Sequence, residues 1–214
     1  MNDRSHITVI LDRTGSMESI RSDVIGGFNS FLAAQKDTPH PATLTLVQFD
    51  SQDPYEVLHS AANIASVPPL TLEQYVPRAS TPLYDTMGRG ILDLEAWLAG
   101  QPDAVRPGKI IFVVVTDGQE NASREFDRKR VNRLVKAKKH LGWDFVFLSA
   151  DLGAFEEAGQ IGVDHDSRLY FEKSAQGNDR AWAMASMKIS ERRSGTADKV
   201  VFDDSDRQSA AAPQ

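Results

Sequence analysis

Five oxygen-bearing side chains stand out by type and spacing in this chain of 214 residues. Asp12, Thr14 and Ser16 alternate in Leu11-Asp12-Arg13-Thr14-Gly15-Ser16-Met17, Thr81 lies in Ser80-Thr81-Pro82, and Asp117 lies in Thr116-Asp117-Gly118. A tight loop, which Gly15 permits, would turn the first three toward one point. Two carboxylates and three hydroxyls meet the needs of a hard divalent cation, since Mg²⁺ takes about six oxygens near ~2.1 Å and keeps some of them as water. If the carboxylates act through water, the neutral hydroxyls leave the ion electrophilic, and it attracts one more carboxylate from a ligand or partner. Softer donors are scarce: there is no Cys, and the five His, at 6, 40, 59, 140 and 165, are scattered. Each fragment also has an ordinary use, as helix-cap material, as an Asp-Gly turn or as a Thr-Pro helix start. Their joint occurrence after central elements is what points to a metal.

The elements that must position these groups alternate between β-like runs and amphipathic helices, the pattern of an α/β domain. Ile7-Thr8-Val9-Ile10-Leu11 and Lys109-Ile110-Ile111-Phe112-Val113-Val114-Val115-Thr116 are near-continuous apolar runs, as expected of parallel strands covered on both faces. Thr43–Phe49 alternates, and Tyr55–Leu58 is placed to return beside it as an edge hairpin. Met17, Ile20, Val24, Phe28 and Phe31 form one helical stripe, with Gly26-Gly27 allowing close packing against the sheet. Leu83, Met87, Ile91, Leu94 and Leu98 form a second stripe, with Thr81 as the N-cap and Pro82 in the first turn. Pro68, Pro69, Pro77 and Pro82 bar residues 66 to 82 from an internal strand or helix. A basic helix is expected from about Ser123 to Leu141, then a strand at Phe145–Leu148, a short helix closed by Gly159, a strand at Leu169–Phe171 and a helix from about Asp179 to Glu191. Together they predict a doubly wound, mostly parallel sheet with one antiparallel edge strand and helices on both faces, a Rossmann-like arrangement. Residues 1-193 read as one domain and 194-214 as a flexible C-terminal tail.

In such a sheet, sites form at the C-terminal ends of the central strands, where Asp12 and Asp117 fall. Asp12-x-Thr14-x-Ser16, then Thr81 within Thr-Pro-Leu-Tyr-Asp, then Asp117 within Thr-Asp-Gly resemble the metal-ion-dependent adhesion site of von Willebrand factor type A domains. That pattern is D-x-S-x-S, then Thr, then Asp, and the resemblance extends over about residues 5 to 192. Thr14 replaces the middle Ser and keeps the hydroxyl. The resemblance implies Mg²⁺ (or Mn²⁺) bound directly by Ser16 and Thr14, with Asp12 and Asp117 acting largely through water. Thr81 would join or leave with the ligated state, and an Asp or Glu of a protein partner would complete the shell. In some members the last helix moves on binding. The chain looks like the small stand-alone members of bacteria and phages, some of which serve an ATPase or a multisubunit machine, and no catalysis of its own is implied.

Two other functions compete. A haloacid-dehalogenase-like phosphatase also begins with an apolar strand ending in Asp, but it needs a carboxylate two residues later as general acid. Thr14 stands there, and Asp203-Asp204 is a poor substitute for a metal-binding pair. Ser16 lacks the G-x-S-x-G elbow of a hydrolase nucleophile. The second competitor is nucleic-acid association through the basic helix, where Arg124, Arg128, Lys129, Arg130, Arg133, Lys136, Lys138 and Lys139 give residues 124–139 a local charge of +6. The chain as a whole carries -6, so the remainder carries -12. A solvated outer face is the ordinary account of this helix. Arg124, Arg128, Arg130, Arg133 and Lys136 would otherwise dock an acidic partner, and no aromatic stacking platform accompanies them for nucleic acid. With 41% hydrophobic and 25% charged residues the composition is that of a globular protein. No apolar run of eighteen residues could span a bilayer, and the first residues lack a signal-peptide pattern, so a cytoplasmic protein is expected.

Overall fold

A computed structural model describes residues 3–211. Its six-stranded sheet has the order β3-β2-β1-β4-β5-β6. β1 (Ser5–Asp12) and β4 (Lys109–Thr116) lie side by side at its centre, in parallel register from Ser5 opposite Lys109 to Leu11 opposite Val115. β2 (Ala42–Phe49) flanks β1 on the other side, and β3 (Glu56–Asn63) returns antiparallel at the edge. β5 (Trp143–Ser149) and the short β6 (Arg168–Tyr170) continue the parallel run beyond β4. The expected single reversed edge strand is therefore present. Its pairing with β2 slips between Leu44 and Val47, and Ala61 takes a left-handed φ of 43° while its N–H donates to Thr45 Oγ1.

Residue parity on the central strands divides the core into two layers. Ile7, Val9, Leu11, Ile111, Val113 and Val115 pack against α1 (Arg21–Asp37) and α5 (Ala175–Ser194). Ile10, Ile110, Phe112 and Val114 face α2 (Leu83–Ala99), α3 (Arg128–His140) and α4 (Leu152–Gln160). Burial on both faces explains why β1 and β4 read as continuous apolar runs.

Several expectations are corrected. The close approach at Gly27 is to a helix rather than the sheet: a Cβ there would overlap the Trp182 indole of α5, whereas one at Gly26 would meet nothing within 4 Å. α3 begins at Arg128, five residues later than expected at Ser123, because the backbone N–H groups of Arg124, Glu125 and Phe126 donate to the Asp85 carboxylate at 2.8 Å each. Asp127 then caps the helix by accepting from Arg130 N at 2.7 Å. Gly159 lies inside α4, and the left-handed glycine that follows is Gly162, with φ 94°. The segment expected as a flexible tail packs back as far as it is described: Val200, Phe202 and Ala210 are buried in the α1/α5 layer, and α6 (Asp204–Ala211) is tied to α5 by Lys188–Asp206 at 2.9 Å. Pro213 and Gln214 lie outside the described residues.

Candidate metal centre

The chain reverses its winding direction at β1 and β4, since β2 and β3 lie to one side and β5 and β6 to the other. Such a switch point leaves a crevice at the carboxyl ends of the two strands. Asp12 ends β1 fully buried, with Oδ1 accepting from Thr14 N at 2.7 Å and Oδ2 accepting from Thr116 Oγ1 of β4 at 2.6 Å. Burial pushes its pKa up to about 7 against the lowering effect of the Thr116 and Thr14 bonds, and the nearby Asp117 raises it further. A cation at this edge would relieve that penalty.

Thr14 precedes a 3-10 turn over Gly15–Ile20, the position of an N-cap, yet its side chain makes no cap hydrogen bond. Its Oγ1 lies instead 3.2 Å from Ser16 Oγ, and Ser16 Oγ donates to Asp117 Oδ1 at 2.6 Å. The ordinary capping account of this loop therefore fails for Thr14. It fails for Thr81 too, because Pro82 occupies the cap position of α2. Thr81 is buried and held by Asn121, whose Oδ1 accepts from Thr81 N at 2.8 Å and whose N donates to Thr81 O at 3.0 Å. A Cβ on Gly118 would lie 3.5 Å from Thr81 Oγ1 and 3.8 Å from Ser16 Oγ, so glycine leaves room where two hydroxyls converge. Asp12, Thr14, Ser16, Thr81 and Asp117 are thus brought to one edge.

Residues not anticipated from the sequence hold the rim. Arg13 is buried, its Nε donating to Asp50 Oδ2 at 2.7 Å and its Nη1 paired with Glu56. Arg78 Nε donates to the same Asp50 oxygen at 2.9 Å, Arg78 N to Arg13 O at 2.8 Å, and Gly15 N to Ala79 O at 3.2 Å. The Tyr75 hydroxyl donates to Asp12 O. These bonds fasten the proline-rich connection, and Thr81 at its end, to the turn after β1. Lys173 reaches the site from the link between β6 and α5: its Nζ lies 2.6 Å from Asp117 Oδ2 and donates to Ser16 O at 2.8 Å. No local pattern in the sequence marks Lys173. The Arg13–Asp50 pairing has at best the faint signal of an Arg and an Asp at the ends of adjacent strands.

The donor chemistry fits a hard divalent cation. The Asp117 side chain is fully buried, and its Oδ2 accepts no aligned hydrogen bond. Among the described residues no group of three His, Cys, Asp or Glu is gathered anywhere, so a metal here must use hydroxyl oxygen. A nucleophilic role for Asp12 gains no support, since both of its oxygens are engaged and Asp203 and Asp204 lie at the start of α6. Arg124, Arg128, Arg130, Arg133 and Lys136 are exposed, and among the described residues none is in an ion pair with a carboxylate. Arg130 lies over the Phe126 ring, 4.1 Å from its centroid, and Arg128 bonds Gln160.

No protein-family profile matches the chain, and no curated protein matches it. Solved structures do. The pilus adhesin SpaC of Lactobacillus rhamnosus GG in its open conformation superposes with a TM-score of 0.62 at 14% identity, over 87% of this chain and 30% of that one. A von Willebrand factor type A protein of Catenulispora acidiphila gives 0.58 at 12% identity, over 90% and 43%. The mussel byssus proximal thread matrix protein 1 with a zinc-occupied metal-ion-dependent adhesion site gives 0.54 at 14% identity, over 86% and 46%. This chain thus spans less than half the length of each. The likeness establishes a von Willebrand factor type A-like fold. No described helix is long and apolar enough to cross a membrane.

Proposed function

We propose that this chain is a divalent-metal-dependent protein-recognition domain that binds Mg²⁺ (or Mn²⁺) through Asp12, Thr14, Ser16, Thr81 and Asp117. The observation that carries the reading is the bonded row Thr14 Oγ1, Ser16 Oγ and Asp117 Oδ1 at the switch point, with the Thr14 hydroxyl withheld from capping. The zinc-occupied site named for the mussel protein supports a divalent ion in a fold of this kind. Ser16 and Thr14 supply neutral oxygens, and Asp12 is oriented by Thr14 N and Thr116 Oγ1. Bound there, the ion supplies a positive centre that an Asp or Glu of the partner can approach. The exposed basic face of α3, with Arg124, Arg128, Arg130, Arg133 and Lys136, is the proposed second contact for an acidic partner. Action in the cytoplasm, alone or beside an ATPase or a multisubunit machine, belongs to the same proposal, and catalysis does not.

Calorimetric titration with Mg²⁺ and Mn²⁺ tests the site: Asp117→Ala and Asp12→Ala abolish binding, and unchanged affinity in both refutes it. Capture of a partner by the wild type but not by Asp117→Ala, reversed by chelator, tests the recognition. Turnover of a generic phosphate ester that depends on Asp12 would replace the reading with an enzymatic one.

A further inference from the structure

Lys173 touches two of the segments carrying the metal oxygens. Its ammonium sits 2.6 Å from Asp117 Oδ2 and donates to the main-chain carbonyl of Ser16 at 2.8 Å. The backbone on either side is firmly placed. Phe171 is buried and its N–H donates to Ser149 O at 2.9 Å, while Ser174 caps α5 by accepting from Gly177 N at 3.1 Å. A Cβ on Gly177 would overlap the Glu172 carbonyl, so glycine lets this link lie tight against the first turn of α5. The flexible part of Lys173 is therefore its side chain, which is 36% exposed, and the carboxylate it meets is 0% exposed.

We infer that Lys173 is a tethered counter-ion of the metal centre: its ammonium neutralises Asp117 in the metal-free protein and is exchanged for the divalent cation. The inference rests on the metal-site reading above. A buried carboxylate without a compensating charge is strongly disfavoured, and Lys173 provides that charge while the ion is away. A divalent cation and an ammonium sharing one carboxylate repel each other, so the ion displaces the side chain, and the long lysine stem lets the charge swing into water without moving its anchored backbone. Two consequences follow. The ligand loops stay assembled before metal arrives, and the metal must exceed a threshold set by the lysine contact. The displaced ammonium is then exposed at the rim where an acidic partner would arrive.

The test is Lys173→Met, which keeps most of the stem and removes the charge. Mn²⁺ affinity by calorimetry should tighten by up to about fivefold, the equivalent of losing a competing, partly exposed ion pair, while the melting temperature in chelator falls. A merely structural lysine would weaken binding or leave it unchanged when removed. In the wild type, acylation of Lys173 by an amine-reactive ester, mapped by mass spectrometry, should rise on saturation with Mn²⁺. Equal or weaker Mn²⁺ affinity in Lys173→Met, or labelling indifferent to Mn²⁺, overturns the exchange and leaves the metal site standing. Absence of Mn²⁺ binding in both proteins overturns the exchange and the metal site together.

Discussion

Ser16 and Asp117 are 101 residues apart in the chain, and the Ser16 hydroxyl donates to Asp117 Oδ1 at 2.6 Å across the ends of β1 and β4. The bond joins the two halves of the doubly wound sheet at the point where its winding reverses. Ser16→Ala removes both this bond and one proposed metal oxygen. Mg²⁺ affinity should fall by an order of magnitude or more, on the scale seen when support for a metal ligand is lost. Ser19→Ala, which removes an exposed hydroxyl at 3.4 Å from Ser16 O, is the matched control and should bind as the wild type does. Equal affinities for the two variants would remove Ser16 from the site.

Asp50 is fully buried and receives both Arg13 and Arg78 on one oxygen, while its other oxygen accepts from Gln52 N at 2.7 Å and Asp53 N at 3.1 Å. Asp50→Ala removes the buried partner of the Arg13 guanidinium and leaves it only the half-exposed Glu56 carboxylate. Removing one partner of a buried pair costs about 3–5 kcal/mol, which urea unfolding will read directly. The same change frees the connection that carries Thr81, so metal affinity should weaken in step. A loss under about 1 kcal/mol, the range of an exposed pair, would show that Glu56 alone suffices to hold Arg13.

Adjacent glycines of α1 should respond in opposite senses to the same substitution. Gly26→Ala adds a methyl to an exposed helical position with open space around it and should stabilise by about 1 kcal/mol. Gly27→Ala drives a methyl into the Trp182 ring and should destabilise by about 1–3 kcal/mol through overpacking. Thermal melting of the two variants checks both signs, and a stabilising Gly27→Ala would refute the tight α1–α5 contact.

His6 gives the fold an acid sensitivity independent of the metal centre. It is buried between Thr43 Oγ1, 2.8 Å from Nδ1, and Thr8 Oγ1, 3.0 Å from Nε2, with Trp97 beside the ring at 4.9 Å. Burial lowers its pKa from 6.5 to about 3. The unfolded chain therefore takes up a proton that the folded chain refuses, so stability is full above pH 6.5 and declines as pH falls toward 3. At pH 5 the loss is about 2 kcal/mol. Asp12, raised to about 7, pulls the opposite way over the same range, so the measurement is the difference between wild type and His6→Gln in urea unfolding at pH 7.5 and 5. Parallel losses in the two proteins would mean that His6 is not held neutral.

Much of the sheet and all five proposed metal residues could be read from the sequence, because both depend on local signals. β1 and β4 are unbroken apolar runs, and the oxygen residues follow them directly. What escaped reading was set by distant partners. Asp85 receives the N–H groups of residues 124–126 and so delays α3, a tertiary act of capping that leaves the helical spacing of Val131 and Val135 unchanged. Val200 and Phe202 belong to a single three-residue apolar run, Val200-Val201-Phe202, too short to show a period, yet both are buried. Thr81 is a plausible cap in sequence, and only the placement of Pro82 and Asn121 reveals its hydroxyl as spare. Lys173 lies 157 residues from Ser16, beyond the reach of any pattern.

The irregular pairing of β3 with β2 has a consequence for how the molecule behaves in a crowd. A straight outer strand offers a ready template on which a foreign chain can crystallise a further strand. Here the slip between Leu44 and Val47 and the left-handed Ala61 break that template on one side of the sheet. On the other side β6 is three residues long, and α6 packs beside it. The sheet is thereby end-stopped at both margins, which guards the long Val- and Ile-rich central strands against recruiting copies of themselves.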